Sequence, residues 1–219
     1  AAWTPEWFRR HHGADAQTPP QRGWDSVTVP GAVAGWAALS ERFGMLPFGD
    51  LLQPAIEIAE RGYAVPVVVA QKWAAAAALA ELSAQPGYAS AFLPHGRAPR
   101  VGELFRFAAA ARALRRIAET RGEAYYRGEI AEAISRHAAE HGAALTAADL
   151  AAYAPEWVEP IATDYRGHTL HEIPPNGQGI AALIALGLLR RYDLASLPVD
   201  SVASQHLQIE AMKLAFADV

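Results

Sequence analysis

Glycine closes one helix-forming stretch after another along this chain. That punctuation limits the fold to many short helices joined by tight breaks. Thr4-Pro5-Glu6 supplies an N-cap, a proline at the first helical position and an early acid, which predicts a helix to about His12 that stops at Gly13. Residues 14–24, with Pro19-Pro20, read as a loop, and Ser26 to Val29 as a short strand. Pro30-Gly31 precedes a helix from Ala32 to Phe43, with Val33, Trp36, Leu39 and Phe43 on one face and Gly44 at its end. A further helix continues from Phe48 to Gly62, with Pro54 in its first turns. Alanine content predicts one long helix over Val67 to Leu82. Residues 93–102 read as a loop. Glu103 to Arg121 carries the clearest amphipathic stripe: Leu104, Phe107, Ala111, Leu114 and Ala118. Glu129 to His141 is closed by Gly142, and Thr146 to Asp149 has the form of a capping box.

After Pro155 the period changes from helical to alternating. Ile161–Tyr165 and Thr169–Ile173 flank Arg166-Gly167 and predict a β-hairpin. Pro174-Pro175-Asn176-Gly177 breaks the pattern, Gln178 to Arg191 is an apolar helix, and Asp200 or Ser201 caps a last helix with Leu207, Ala211 and Leu214 on one face. The sum is a mainly α fold with a few short β-strands: helical over 1–155, then a hairpin and two helices over 156–219, with no linker or repeat dividing it.

With 219 residues, 52% of them hydrophobic, the chain can bury one sizeable core. A net charge of −4 without clustered cations gives no reason to expect a nucleic-acid partner. The absence of cysteine excludes disulfides, thiolate nucleophiles and cysteine-ligated metal centres. No apolar run approaches the ~18 residues of a membrane-spanning helix, and no cofactor or membrane partner is expected. The N-terminus has neither an initiating Met nor the pattern of a signal peptide, and the chain stops inside a helical stretch, so both ends read as cut.

Local motifs are weak. His137-Ala-Ala-Glu140-His141 matches a zinc pattern, but two histidines in the last turn of a helix are also what the helix dipole favours, and no third ligand is evident, so no metal is assigned. Asn176, Gly177, Gln178 and Gly179 lie between a strand and a helix; a glycine turn there exposes backbone N–H groups and can hold an anion, yet it also serves simply to start a helix. No G-x-S-x-G elbow is present. Asp149, Glu159, Glu210 and Asp218 form no pair by spacing, Asp164-Tyr165-Arg166 reads as support for the hairpin, and Trp24, Trp36, Trp73 and Trp157 read as packing residues.

Longer patterns carry more. Val29-Pro-Gly-Ala-Val-Ala-Gly-Trp36 with Arg42-Phe-Gly44, Leu51-Leu-Gln-Pro-Ala-Ile-Glu-Ile-Ala-Glu-Arg-Gly62, Phe92-Leu-Pro94, Ala124-Tyr-Tyr-Arg-Gly-Glu-Ile-Ala131, Leu145-Thr-Ala-Ala-Asp-Leu150, Tyr153 to Trp157, Tyr165-Arg-Gly167, Pro174-Pro175 and Glu210 to Asp218 follow one another in an order that resembles the γ-glutamyltranspeptidase (glutathione hydrolase) family, from about residue 3 to 219. The resemblance implies an interior stretch of the large subunit of a self-cleaving precursor. Large and small subunits of that family together form the αββα sandwich of N-terminal-nucleophile hydrolases. It implies a small-subunit partner from the same precursor and a γ-glutamyl small-molecule substrate. It also implies a threonine nucleophile at the small subunit's new N-terminus, with its own α-amine as base. No catalytic residue is expected in this chain, which would be inactive alone; the family's arginine for the glutamyl α-carboxylate is expected just upstream of Trp3-Thr-Pro-Glu-Trp7. Where many members have Pro-Pro-Pro-Ser-Ser-Gly-Gly, this chain has Pro174-Pro-Asn-Gly-Gln-Gly179, a form that resembles the branch containing cephalosporin acylases. A related acylase acting on a glutaryl-type amide and a non-catalytic helical interaction domain stay open beside the first reading.

Overall fold

The computed structural model describes residues 4–219; Ala1, Ala2 and Trp3, where the family-like pattern starts, lie outside them. The chain forms two compact units, Ala1–Pro155 and Glu156–Val219.

The first unit is helical. Helix α1 (Pro5–His12) is capped as its sequence dictates, with the Thr4 hydroxyl accepting from the Trp7 amide. Helix α2 (Ala32–Phe43) ends at Gly44, and α3 (Phe48–Arg61) at Gly62. Strand β1 (Tyr63–Ala64) follows, then α4 (Val67–Ala77), α5 (Ala80–Ser83), α6 (Tyr88–Phe92), strand β2 (Leu104–Phe105), α7 (Ala108–Thr120), α8 (Glu123–Tyr126), α9 (Glu129–Glu140) and α10 (Ala147–Ala152). The capping box of α10 is complete: Thr146 accepts from the Asp149 amide while the Asp149 carboxylate accepts from the Thr146 amide.

Three expectations fail here for identifiable reasons. Ser26–Val29 is not a strand: a 3₁₀ turn covers Trp24–Ser26, and Val27, though extended, pairs with no strand among the described residues. The expected helix over Val67–Leu82 breaks at Ala78-Leu79. There the last turn tightens, Leu79 N–H reaching Ala76 O, and the Ser83 hydroxyl donates to Ala77 O; neither event has a glycine or proline signal. The helix expected from Glu103 starts only at Ala108. Leu104 and Phe105 are captured by antiparallel pairing with Ala64 and Tyr63, and Glu103 is held by a bidentate ion pair with Arg97 at 2.7 and 2.9 Å.

Helix α3 packs along α7, with Ile56, Ala111 and Ile117 buried and Arg115 bridging to Glu60 at 2.6 Å. Val33, Phe48, Ile117 and Tyr126 form one buried cluster; Val65, Ala70 and Phe105, with Trp73 and Phe107 against them, form another. The link between α2 and α8 is polar. Helix α2 starts at Gly31, which has no side chain to cap it. The Tyr126 hydroxyl supplies the cap from 92 residues away, accepting from the Ala34 amide at 3.1 Å while donating to Pro30 O at 2.8 Å. Tyr153 stacks on Tyr126 with ring centroids 5.6 Å apart and lies over Gly31, where a Cβ would overlap its hydroxyl and sit 2.8 Å from its Cζ. Burial pushes the Tyr126 phenol up, so it keeps the proton it donates.

In the second unit, strands β3 (Ile161–Tyr165) and β4 (His168–Glu172) form the hairpin, one residue earlier on its second strand than expected, in the register Ile161↔Glu172 to Tyr165↔His168. Arg166 and Gly167 both have positive φ, as a two-residue turn of this hand requires, and Arg166 Nη2 donates to Tyr192 O at 2.7 Å. Thr169 donates to Asp164 at 2.6 Å across the hairpin. Helix α11 (Gly179–Leu189) packs on α12 (Val202–Ala217) through Ala181, Ala185, Leu189, Ala211 and Ala215. The buried face of α12 thus turns on alanines, and Leu214, expected there, is 58% exposed. Of the tryptophans read as packing residues, Trp73 is half-buried against Phe105, whereas Trp36 and Trp157 are exposed.

Two outcomes are expected. Tyr126→Phe leaves a half-buried carbonyl and a half-buried amide without their partner and should lower stability by about 1–2 kcal/mol in urea denaturation; an unchanged midpoint would contradict the capping role. The Arg97 guanidinium, with the Arg100 amide, holds the Glu103 carboxyl down to about 2. A carboxyl depressed on folding stabilises above its unfolded pKa, so this contribution is present at neutral pH and is lost as pH falls from about 4.5 towards 2. Glu103→Gln should therefore lower the melting temperature at pH 7 and flatten its fall over that acid range.

Candidate functional site

The residues singled out by sequence, Asn176 to Gly179, form the turn between β4 and α11. Pro174 and Pro175 end the strand because neither has an N–H to donate to a ladder. Asn176, Gly177 and Gln178 are exposed; Gln178 is the N-cap of α11, and its carbonyl accepts from the Ala181 amide at 3.0 Å without any side-chain cap. Gly179 opens the helix beneath Glu172. A Cβ added there would overlap the Glu172 carboxylate, with Cδ at 2.9 Å and the Glu172 Cβ at 3.0 Å. Strand β4 thus places its terminal carboxylate beside the first residue of α11, where the helix dipole favours negative charge. An external anion would meet that charge. What the turn offers outward is the two exposed side-chain amides, each with a donor and an acceptor face.

Among the other sequence candidates, Asp149, Glu210, His137 and His141 are held in structural contacts. Asp149 is lowered first by the hydrogen bond from the Thr146 hydroxyl at 2.7 Å, as the α10 cap requires. Glu210 pairs with Lys213 at 2.7 Å, which lowers its carboxyl. The rings of His137 and His141 stack at 4.2 Å, His141 Nδ1 lies 2.8 Å from His137 O, and Trp24 leans on His137 at 5.5 Å. Among the described residues no group of three or more His, Asp or Glu side chains is placed to hold a metal ion.

Sequence reasoning passed over the place where Pro30-Gly31 is fixed. Tyr126 stands in the sequence only as part of the run Ala124 to Ala131, because its partners lie more than ninety residues upstream and leave no local signal. Just before that segment is a cavity of about 580 Å³, walled by Pro19, Pro20, Val27, Val29 and Leu145, with Asp25 and Asp149 also lining it.

Compared with known proteins, residues 1–219 match the model of a family described as gamma-glutamyltranspeptidase. The chain is 36% identical over 200 residues to the glutathione hydrolase-like YwrD proenzyme of Bacillus subtilis, covering 91% of this chain and 38% of that protein. It is 37% identical over 197 residues to the acylase ACY 1 proenzyme of a Pseudomonas species, covering 90% and 35%. A crystal structure of cephalosporin acylase from Bacillus halodurans superposes with a TM-score of 0.88 at 45% identity, over 96% of this chain and 40% of that one. The chain therefore spans well under half the length of these relatives.

The fit of Glu172 over Gly179 is testable. Gly179→Ala should gain up to about 1 kcal/mol of helix propensity but displace the Glu172 carboxylate. The stability gain should emerge in full only in the Glu172→Ala background. Equal gains in both backgrounds, measured by thermal unfolding, would show that the two residues do not compete for space.

Proposed function

The chain belongs to the gamma-glutamyltranspeptidase family, and we propose that it is the large-subunit portion of an N-terminal-nucleophile hydrolase that cleaves or transfers γ-glutamyl groups. The observation that carries this reading is the match of the whole chain, with relatives named as proenzymes of which it spans about a third or more. In this reading a threonine on the small subunit attacks the amide carbonyl of the γ-glutamyl donor. Its α-amine takes the hydroxyl proton and passes it to the departing amine, leaving an ester-linked acyl-enzyme. Water or an amino acid then adds to the ester carbonyl and frees the threonine.

This chain would contribute scaffold rather than nucleophile. Trp36 and Leu39 of α2 and Leu51 of α3 are exposed, as are Ile209, Met212 and Leu214 of α12. Apolar area of this kind is what a partner subunit covers. Completed by the small subunit, the helices would form outer layers of an αββα sandwich. The Asn176–Gly179 turn would help wall the substrate cleft through its two amides.

A second reading, an acylase acting on a glutaryl-type amide by the same chemistry, is favoured by Asn176-Gly-Gln-Gly179 in place of a serine-rich turn and by the 45% identity to the cephalosporin acylase structure. The two differ at one group: the α-ammonium of glutamate, absent from glutaryl. A site built to pair that ammonium discriminates strongly against substrates lacking it. The full-length protein should appear as two chains in a mass spectrum and hydrolyse a γ-glutamyl anilide faster than a glutaryl anilide. The reverse preference would assign it to the acylases. A single uncleaved chain with no activity on either would leave only a helical interaction role.

A further inference from the structure

The first unit contains a second cavity, about 730 Å³, within the range of small-molecule sites. Tyr63, Trp73, Tyr88, Phe92, Phe105 and Phe107 line it. The rings brace one another: Trp73 meets Phe105 at 4.7 Å and 73°, and Phe92 meets Phe107 at 5.6 Å and 70°, both edge-on. The polar atom of Trp73 is already satisfied, since its Nε1 donates to Phe92 O at 2.8 Å, so the wall it presents is apolar. An aromatic wall of this kind selects a ligand by shape and hydrophobicity.

The rim adds a charge. Lys72 is the single charged residue lining the cavity, and it follows Val69 and precedes Trp73 on the same helix. It is one of only two lysines in the chain; the other, Lys213, is paired with Glu210. Carboxylates of the neighbouring helices are engaged elsewhere: Glu57 with Arg61, Glu60 with Arg115, and Glu81 with Arg22. Lys72 forms no hydrogen bond or ion pair among the described residues. A compact ammonium beside an apolar cavity complements one negative charge on an apolar body. A dianion would bring a second charge with nothing to meet it.

We propose that this cavity binds a free monocarboxylic acid with an apolar chain or aryl group, its hydrocarbon against Trp73 and Phe105 and its carboxylate at Lys72. Decanoate is a suitable probe, titrated below its aggregation concentration into the full-length protein by calorimetry, with decanol and butyrate as controls. Decanoate should bind at one site and butyrate should not. Decanol should bind about fivefold more weakly, and Lys72→Met should weaken decanoate about fivefold while leaving decanol unchanged, as expected for one partly exposed ion pair. Ala76→Phe, which fills the cavity, should abolish binding of both. Lys72→Met alters only an exposed side chain, so it remains informative if Ala76→Phe fails to fold. Absence of saturable decanoate binding, as when another segment of the full protein covers the cavity, would overturn the proposal. So would equal affinity for decanoate and decanol, or no effect of Lys72→Met.

Discussion

The first unit depends on a helix cap delivered from far away. Helix α2 begins at a glycine, which leaves its first amides without the side-chain acceptor that serine, threonine or aspartate would provide. One hydroxyl, on Tyr126, meets the Ala34 amide and the Pro30 carbonyl together. The same ring is 4% exposed and belongs to the cluster with Val33, Phe48 and Ile117, so cap and core are a single object. Placing α2 by this contact also aligns Val33 with α3 and α7. Without it, the start of α2 would be held only by apolar contacts that are indifferent to small rotations.

The other joints are built from different materials. Arg97 and Glu103 close the loop ahead of β2 with a two-pronged ion pair, and Arg166 stabilises its own left-handed turn by reaching Tyr192. Helices α11 and α12 meet through alanines, which bring the backbones close at the cost of little side-chain entropy. Large apolar side chains of α12 are left pointing outward. Helix α12 thus has one face packed through alanines and another that exposes Ile209, Met212 and Leu214.

Much of this was legible from the chain. Caps at Thr4 and Thr146, the cap at Ser201 that the sequence leaves open between it and Asp200, terminators at Gly13, Gly44 and Gly142, and the hairpin turn at Arg166-Gly167 all act over a few residues, and each stands where the sequence allows it. The misses have two causes: a partner distant in sequence, and a local break with no glycine or proline to mark it. Leu104 and Phe105 fit a helical stripe until Tyr63 and Ala64 pair with them, and the poly-alanine of α4 fits a long helix until a local tightening ends it. The Asn176–Gly179 turn was found from its own residues, but the carboxylate above it was not, because Glu172 is placed there by the strand it ends. Family membership was legible for the opposite reason: it resides in the order of many weak motifs rather than in any one contact.

Gly31 and Tyr153 carry a consequence for how sequences of this fold can vary. The phenol of Tyr153 occupies the volume that any side chain at position 31 would need, and its stacking on Tyr126 holds the ring there. The two positions therefore amount to one choice. A chain with a small residue at 153 frees position 31 to carry a side chain, and with it a cap of its own for α2. A chain that keeps the aromatic residue is bound to glycine and to a borrowed cap. Divergence at this corner therefore has an order: loss of the Tyr153 ring leaves the Tyr126 cap in place and opens position 31, whereas a side chain gained first at position 31 clashes.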